Sequence, residues 1–221
     1  MVTVRNVVFP LLGGIRVLGS ERVPPSGPVL ICPVHLSHVD PAAVGCSSPR
    51  RLAFMAKAEL FRVPIFGPLI ASLGSFPVDR GRPDVAALRS AMDQLDSGGA
   101  LLVFPEGRRG DGDRIQPLEA GVVALAKRSG VQVVPVAIGG TARMLPKGAS
   151  RPRRTPVTVC YLRPFTYDEA IAGSSDPKRA FLDRLSRELQ AGQAEIGEPF
   201  RTELEGSPAS ADPVAPPASA D

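Results

Sequence analysis

"VLICPVHLSHVDPAAV", residues 29 to 44, reads as a strand, a loop and the start of a helix. Its first six residues form a short apolar run bounded by turn residues, as a buried strand does. Asp40 and Pro41 then make a good helix start. The carboxylate can accept N–H bonds from the first turn, and the proline has no N–H to satisfy. Between strand and helix lie the chain's only two histidines, His35 and His38. A strand that passes into a helix in this way is the unit of an α/β fold, with its polar groups at the strand's carboxyl end.

The same plan recurs along the chain. Residues 52–56, 100–105, 131–138 and 156–162 are short Val-, Leu- or Ile-rich runs of strand type. Between them, 83–95 places Val85, Leu88, Met92 and Leu95 on one helical face, with Pro83 at a first helical position and Ser97-Gly98-Gly99 as the stop. Residues 117–129 repeat this with Leu118, Val122 and Leu125 inward, Lys127 and Arg128 in the last turn, and Gly130 as the stop. Asp176-Pro177 opens a final helix in which Phe181, Leu185 and Leu189 recur at four-residue steps. The expected fold is α/β: one domain over 1–205 with a mixed, mostly parallel central sheet flanked by helices. Residues 206–221, rich in Pro, Ala and Ser, are expected to be a disordered tail, because they offer too little apolar surface to offset ordering.

A chain of 221 residues, 43% hydrophobic, can bury one good-sized core. All 26 basic residues lie in the body beside most of the 22 acids. That modest basic excess suits a phosphorylated ligand or an anionic membrane surface. Nucleic acid would call for denser basic runs interleaved with aromatics, and "RPRR" (151–154) has none beside it. Cys32, Cys46 and Cys160 are scattered singly, as buried thiols in a reducing compartment. The N-terminal apolar stretch is broken by Pro10 and Gly13-Gly14, unlike a secretory signal, and Val63 to Val78 is too short and too rich in Pro and Gly to span a bilayer.

Three chemistries are open to His35, His38 and Asp40. A metal would need more ligands at a recognisable spacing, and none follow, so no metal is expected. Asp40 can simply cap a helix, with His35 a satisfied, partly buried ring. Alternatively, the loop can fold the carboxylate back onto the imidazole. On a continuous helix, residues five apart would lie about 500° apart on different faces. Across a strand-to-helix loop they can meet, fixing the tautomer and steadying the imidazolium that forms when the ring takes a proton.

Further along come "FPVDRGR" (76–82), "VFPEGRRG" (103–110) and "VVPVAIGG" (133–140), each containing or following a strand-like run. Together with H-x4-D and the segment "AKAELFRVPIFGPLIASLGSFPVDR", this ordered set resembles the glycerolipid acyltransferase family typified by 1-acyl-glycerol-3-phosphate acyltransferases. The resemblance runs from about Arg16 to Phe165. It implies transfer of a fatty acyl group from acyl-CoA or acyl carrier protein to the hydroxyl of a lysophospholipid, with no other cofactor and no acyl-enzyme. By the same resemblance, His35 is the general base and Asp40 its orienter. Lys57, Arg80, Arg82, Glu106, Gly107, Arg109 and Pro135 fall at substrate-binding positions. Arg80 would take the acceptor phosphate through its two-pronged fork, and Gly107 would let backbone approach the ligand. Glu106 would hold an acceptor hydroxyl or pair with an arginine, while Pro135 would shape a strand edge near the ligand or serve a bulge.

Two departures bear on the acceptor: Arg108 and Gly110 stand where the family has Thr and Ser, and Pro117-Leu118-Glu119 stand where it has Phe-Lys. The competing reading is therefore a non-catalytic phospholipid-binding protein on the same fold, or a transferase for another acceptor. Phe61, Ile65, Phe66, Leu69, Ile70 and Leu73 are candidate walls of an acyl groove, where burial is worth about 0.8 kcal/mol per methylene. Val4 to Val17 is expected to dip into the membrane interface, which would place the protein peripherally on the inner, cytoplasmic face.

Overall fold

Val29 to Pro33 is buried at every position, which a strand tolerates only when both faces of its sheet are covered. A computed structural model of the chain, describing residues 9–62, 64, 68, 75–78, 85–112, 114–128 and 130–200, shows that cover. Its sheet comprises β1 (Ile15–Leu18), β2 (Val29–Pro33), β3 (Leu52–Lys57), β4 (Ser75–Val78), β5 (Ala100–Leu102), β6 (Gln132–Gly139), β7 (Val157–Tyr161) and β8 (Phe165–Thr166). The order across it is β1-β7-β6-β2-β5-β3-β4, with β8 also paired to β6. From β6 through β2, β5 and β3 to β4 every pairing is parallel. Strands β7 and β8 run antiparallel to β6, and β1 is parallel to β7. The sheet is thus mixed and mostly parallel, as expected, and the carboxyl ends of β2, β3, β4, β5 and β6 share one edge.

Helical segments are α1 (Phe9–Leu11), α2 (Asp40–Ser47), α3 (Val85–Asp96), α4 (Ala120–Ala126), α5 (Thr141–Met144), α6 (Tyr167–Ile171) and α7 (Pro177–Glu195). Tyr161 of β7 donates its buried hydroxyl to the Val44 carbonyl on α2 at 3.1 Å. Its neighbour Cys160 instead joins Ala137, against which Gly192 of α7 packs. Because strand side chains alternate, α2 and α7 cover opposite faces. Helix α7 keeps its expected design: Asp176 accepts the Arg179 N–H at 3.1 Å, and Phe181, Leu185 and Leu189 are sealed in the core. The three cysteines are buried and form no disulfide, and burial pushes the Cys32 thiol far up.

Several boundaries differ from the sequence reading for identifiable reasons. Helix α3 buries Ala87, Ala91 and Leu95, leaving Val85 69% exposed at its start. Helix α4 begins at Ala120 and not at Pro117, because Glu119 is extended and donates its N–H to the Pro105 carbonyl at 2.8 Å. Strand β5 stops at Leu102, and the chain then turns, with Gly107 donating to the Phe104 carbonyl at 3.0 Å. At the N-terminus, Ile15 and Val17 are half-buried in edge strand β1, and Phe9 is buried. Residues 4–8 of that stretch and the tail 206–221 lie outside the described residues, as do Ile65, Phe66, Leu69, Ile70 and Leu73 of the suggested groove; Phe61 is half-buried.

Candidate active site

His35 follows β2 at the shared carboxyl edge and is 6% exposed. Its Nδ1 lies 3.0 Å from Asp40 Oδ2, so the five-residue loop does bring ring and carboxylate together. A carboxylate oxygen can only accept, so Nδ1 carries the proton and Nε2 presents its lone pair. The same Oδ2 accepts the backbone N–H groups of Leu36 (2.6 Å) and Ser37 (2.7 Å). This corrects the capping reading: Asp40 is the first residue of α2, but its side chain reaches back into the loop and does not cap the helix's N–H groups. Ser37 braces the loop from the far side, donating its hydroxyl to the Leu145 carbonyl at 2.9 Å and accepting the Val39 N–H.

The imidazole stacks on Phe104, with ring centroids 4.0 Å apart and planes inclined by 28°. An aromatic face beneath the ring limits its swing and favours it once it is charged. Among the described residues, the sealed side-chain nitrogens and oxygens without a partner are Asp40 Oδ1 and Thr141 Oγ1. Among the described residues nothing hydrogen-bonds His35 Nε2, and the His35 side chain keeps 7% of its surface exposed. The ring is therefore held through Nδ1, which leaves Nε2 as the nitrogen that could accept a proton.

Glu106 is 2% exposed, and among the described residues its partners are main-chain N–H groups and not an arginine. Its Oε1 accepts the His35 backbone N–H at 2.8 Å, and Oε2 accepts the Gln116 N–H at 3.0 Å. Burial pushes its carboxyl above the ordinary 4.5, the strongest influence on it, while these two N–H donors pull it back down. Gly110 completes the clamp by donating its N–H to the His35 carbonyl at 2.8 Å. Both main-chain groups of His35 are thus tied to the loop after β5. Because Gly110 acts through its backbone, a serine there would keep the contact, and this departure from the family pattern leaves the clamp intact.

Gly107 has φ of 64°, and a β-carbon there would lie 3.0 Å from Glu119 Cγ. The turn itself requires glycine at this position. Arg109 is half-buried, and Arg108 is exposed with a 3.3 Å bond to Gln116 Oε1. Lys57 ends β3 on the same edge; Arg80 and Arg82 lie outside the described residues. Pro135 is not brought to the cluster. It is buried inside β6 in register with Cys32, facing the break between β7 and β8, where its carbonyl accepts the Leu162 N–H at 2.9 Å. At that break a missing N–H costs no ladder bond, which lets β6 carry a proline there. His38 is exposed, and no group of three or more His, Cys, Asp or Glu is placed to hold a metal among the described residues.

Phe104, Gly110 and Gln116 were given no role from sequence. Phe104 and Gly110 both lie within "VFPEGRRG", but Gly110 and Gln116 act through main-chain N–H groups that leave no trace in residue type.

Comparison with known proteins agrees with this architecture. A family model described as Acyltransferase matches residues 14–139, more than half of the chain. A 1-acyl-sn-glycerol-3-phosphate acyltransferase of Limnanthes douglasii is 30% identical over 193 residues, covering 85% of this chain and 68% of that protein. One from Bacillus subtilis (strain 168) is 31% identical over 136 residues, covering 61% and 67%. The chain spans 61% of the length of a third, from Limnanthes alba, at 31% identity. The crystal structure of the 1-acyl-sn-glycerophosphate (LPA) acyltransferase PlsC from Thermotoga maritima shares the fold, with a TM-score of 0.74 and 26% identity over 87% of this chain and 76% of that one. A family match that begins at β1 and runs through β6, and so encloses the His35 clamp, leads to one conclusion: the chain belongs to the acyltransferase family.

Proposed function

We propose that this chain moves a fatty acyl group from an acyl thioester, acyl-CoA or acyl carrier protein, to the hydroxyl of a lysophospholipid. The acceptor is 1-acyl-glycerol-3-phosphate and the product phosphatidic acid, a reading supported by the names of the relatives. The observation that carries it is the 3.0 Å bond from His35 Nδ1 to an Asp40 oxygen already fixed by two backbone N–H groups.

In this mechanism His35 Nε2 takes the acceptor's hydroxyl proton as that oxygen attacks the thioester carbonyl. The tetrahedral intermediate collapses, the carbon–sulfur bond breaks, and the imidazolium returns the proton to the departing sulfur. Asp40 holds the ring and offsets its charge. Base catalysis of this kind contributes about 10²–10⁴-fold, and positioning supplies much of the rest. Arg80 and Arg82 would bind the acceptor phosphate, with Lys57 and Arg109 adding positive charge at the same edge. Glu106 and Gly107 act by shaping the loop that grips His35. The thioester brings its own leaving group, so no cofactor is invoked. The work is done peripherally on the inner face of the membrane, where the acceptor resides.

Thiol release from acyl-CoA on adding 1-acyl-glycerol-3-phosphate tests this. His35→Ala and Asp40→Asn are each expected to lower kcat/KM by about 10²–10⁴-fold without unfolding the chain. Undiminished turnover in His35→Ala would exclude this base.

A further inference from the structure

Between α5 and β7 the chain makes an exposed loop that the chemistry above does not use. Residues 141–156 contain no acid, and Lys147, Arg151, Arg153 and Arg154 are all exposed. None of these four takes part in an ion pair among the described residues, whereas their neighbour Arg143 is paired with Glu198. The loop is closed at its base, where Arg153 N donates to the Met144 carbonyl at 2.7 Å, and a turn inside it is fixed by Ala149 N to the Pro146 carbonyl at 3.0 Å.

Two bonds place this loop. At its start, the Leu145 carbonyl takes the Ser37 hydroxyl, so the loop rises from the edge that carries His35. At its end, Thr155 N donates to the Leu12 carbonyl at 2.6 Å, and Val157 N donates to the Gly14 carbonyl at 3.0 Å. The loop is thereby fastened to the N-terminal turn, where Leu11 is 71% exposed while Phe9 anchors the turn in the core. Unpaired cations, an exposed apolar tip and the site edge therefore lie together.

We propose that loop 145–154, with Leu11, is a docking surface for an anionic phospholipid bilayer, holding the site edge toward the lipid. The guanidinium and ammonium groups would meet headgroup phosphates, and Leu11 would enter the acyl boundary. A nucleic acid fits less well, because the loop has no aromatic side chain on which a base could stack. The orientation rests on the acyl-transfer reading, but the binding itself does not.

The test is co-sedimentation of the full chain with phosphatidylcholine vesicles, with and without phosphatidylglycerol. Wild type is expected to prefer the anionic vesicles and to release them as salt rises. Each cation near such a surface tightens binding about fivefold. Arg151→Gln/Arg154→Gln should therefore weaken binding about 25-fold, and adding Lys147→Gln and Arg153→Gln should weaken it further. Equal binding to both vesicle types, or unchanged binding by the double variant, would overturn the proposal. So would a single-stranded oligonucleotide that displaces the protein from vesicles at physiological salt. Turnover of a short-chain, monomeric lysophosphatidate should survive in the double variant, showing that it is folded. If wild type lacks that turnover, the acyl-transfer reading fails, and the vesicle result still decides the surface.

Discussion

Glu106 shows how a single buried carboxylate can organise a site through main-chain groups. Replacing it with glutamine leaves one carbonyl acceptor for two N–H donors and turns an NH₂ group toward one of them. Glu106→Gln is expected to lower stability by about 1–3 kcal/mol, read as a reduced urea midpoint. The pH dependence has a definite sign. Burial raises the folded-state pKa above the ordinary 4.5, so the folded chain holds this proton more tightly than the unfolded chain. The stabilisation from that proton is full below 4.5 and is lost as pH rises through the raised folded value. Wild type should therefore lose stability relative to the non-titrating Glu106→Gln over that interval, and a constant midpoint difference would refute the assignment. The His35–Asp40 contact was legible in sequence because both side chains lie in one short loop whose flanks dictate strand and helix. The role of Glu106 was not, since its partners are the main chains of His35 and Gln116.

At the scale of elements, the passage from β6 to α5 is a tight corner on the site edge. Gly140 has φ of 85°, and a β-carbon there would collide with the Pro156 carbonyl oxygen and approach its carbon to 3.1 Å. Backbone obstructs it, and backbone cannot rotate away. Gly140→Ala is expected to cost about 3 kcal/mol, measured by chemical denaturation, and to disturb the loop that follows. Strands β2, β3, β6 and β7 could be read from apolar runs, and α7 from its four-residue rhythm. Strands β1, β4 and β8 were harder. The first is an edge strand with only partial burial, the second sits in a Pro-containing segment, and the third is two residues long. The start of α4 was misplaced because a long-range bond, Glu119 N to the Pro105 carbonyl, holds residues 117–119 extended against their local helical pattern.

Across the whole molecule, stability rests on a sheet sealed on two faces. Phe181 is central to one of these, packed at 6.0 Å from the Phe165 ring and 5.6 Å from that of Tyr167. Phe181→Ala should cost about 3–5 kcal/mol, a large share of the 5–15 kcal/mol typical of a domain, and lower Tm in a single cooperative transition. The overall class was visible early, because alternating strands and helices leave few alternatives. The pairing order was not, since nothing in a strand's own residues names its neighbour.

The grip on His35 carries a consequence for how the protein comes into being. The paired imidazole and carboxylate are synthesised together, but their supports arrive later: Glu106, Gly110 and Gln116 first, then Leu145. A nascent chain that has passed Asp40 already carries both residues of the pair, yet has nothing to hold them in place. The observed geometry is complete only when roughly a hundred further residues have emerged and folded back onto the start.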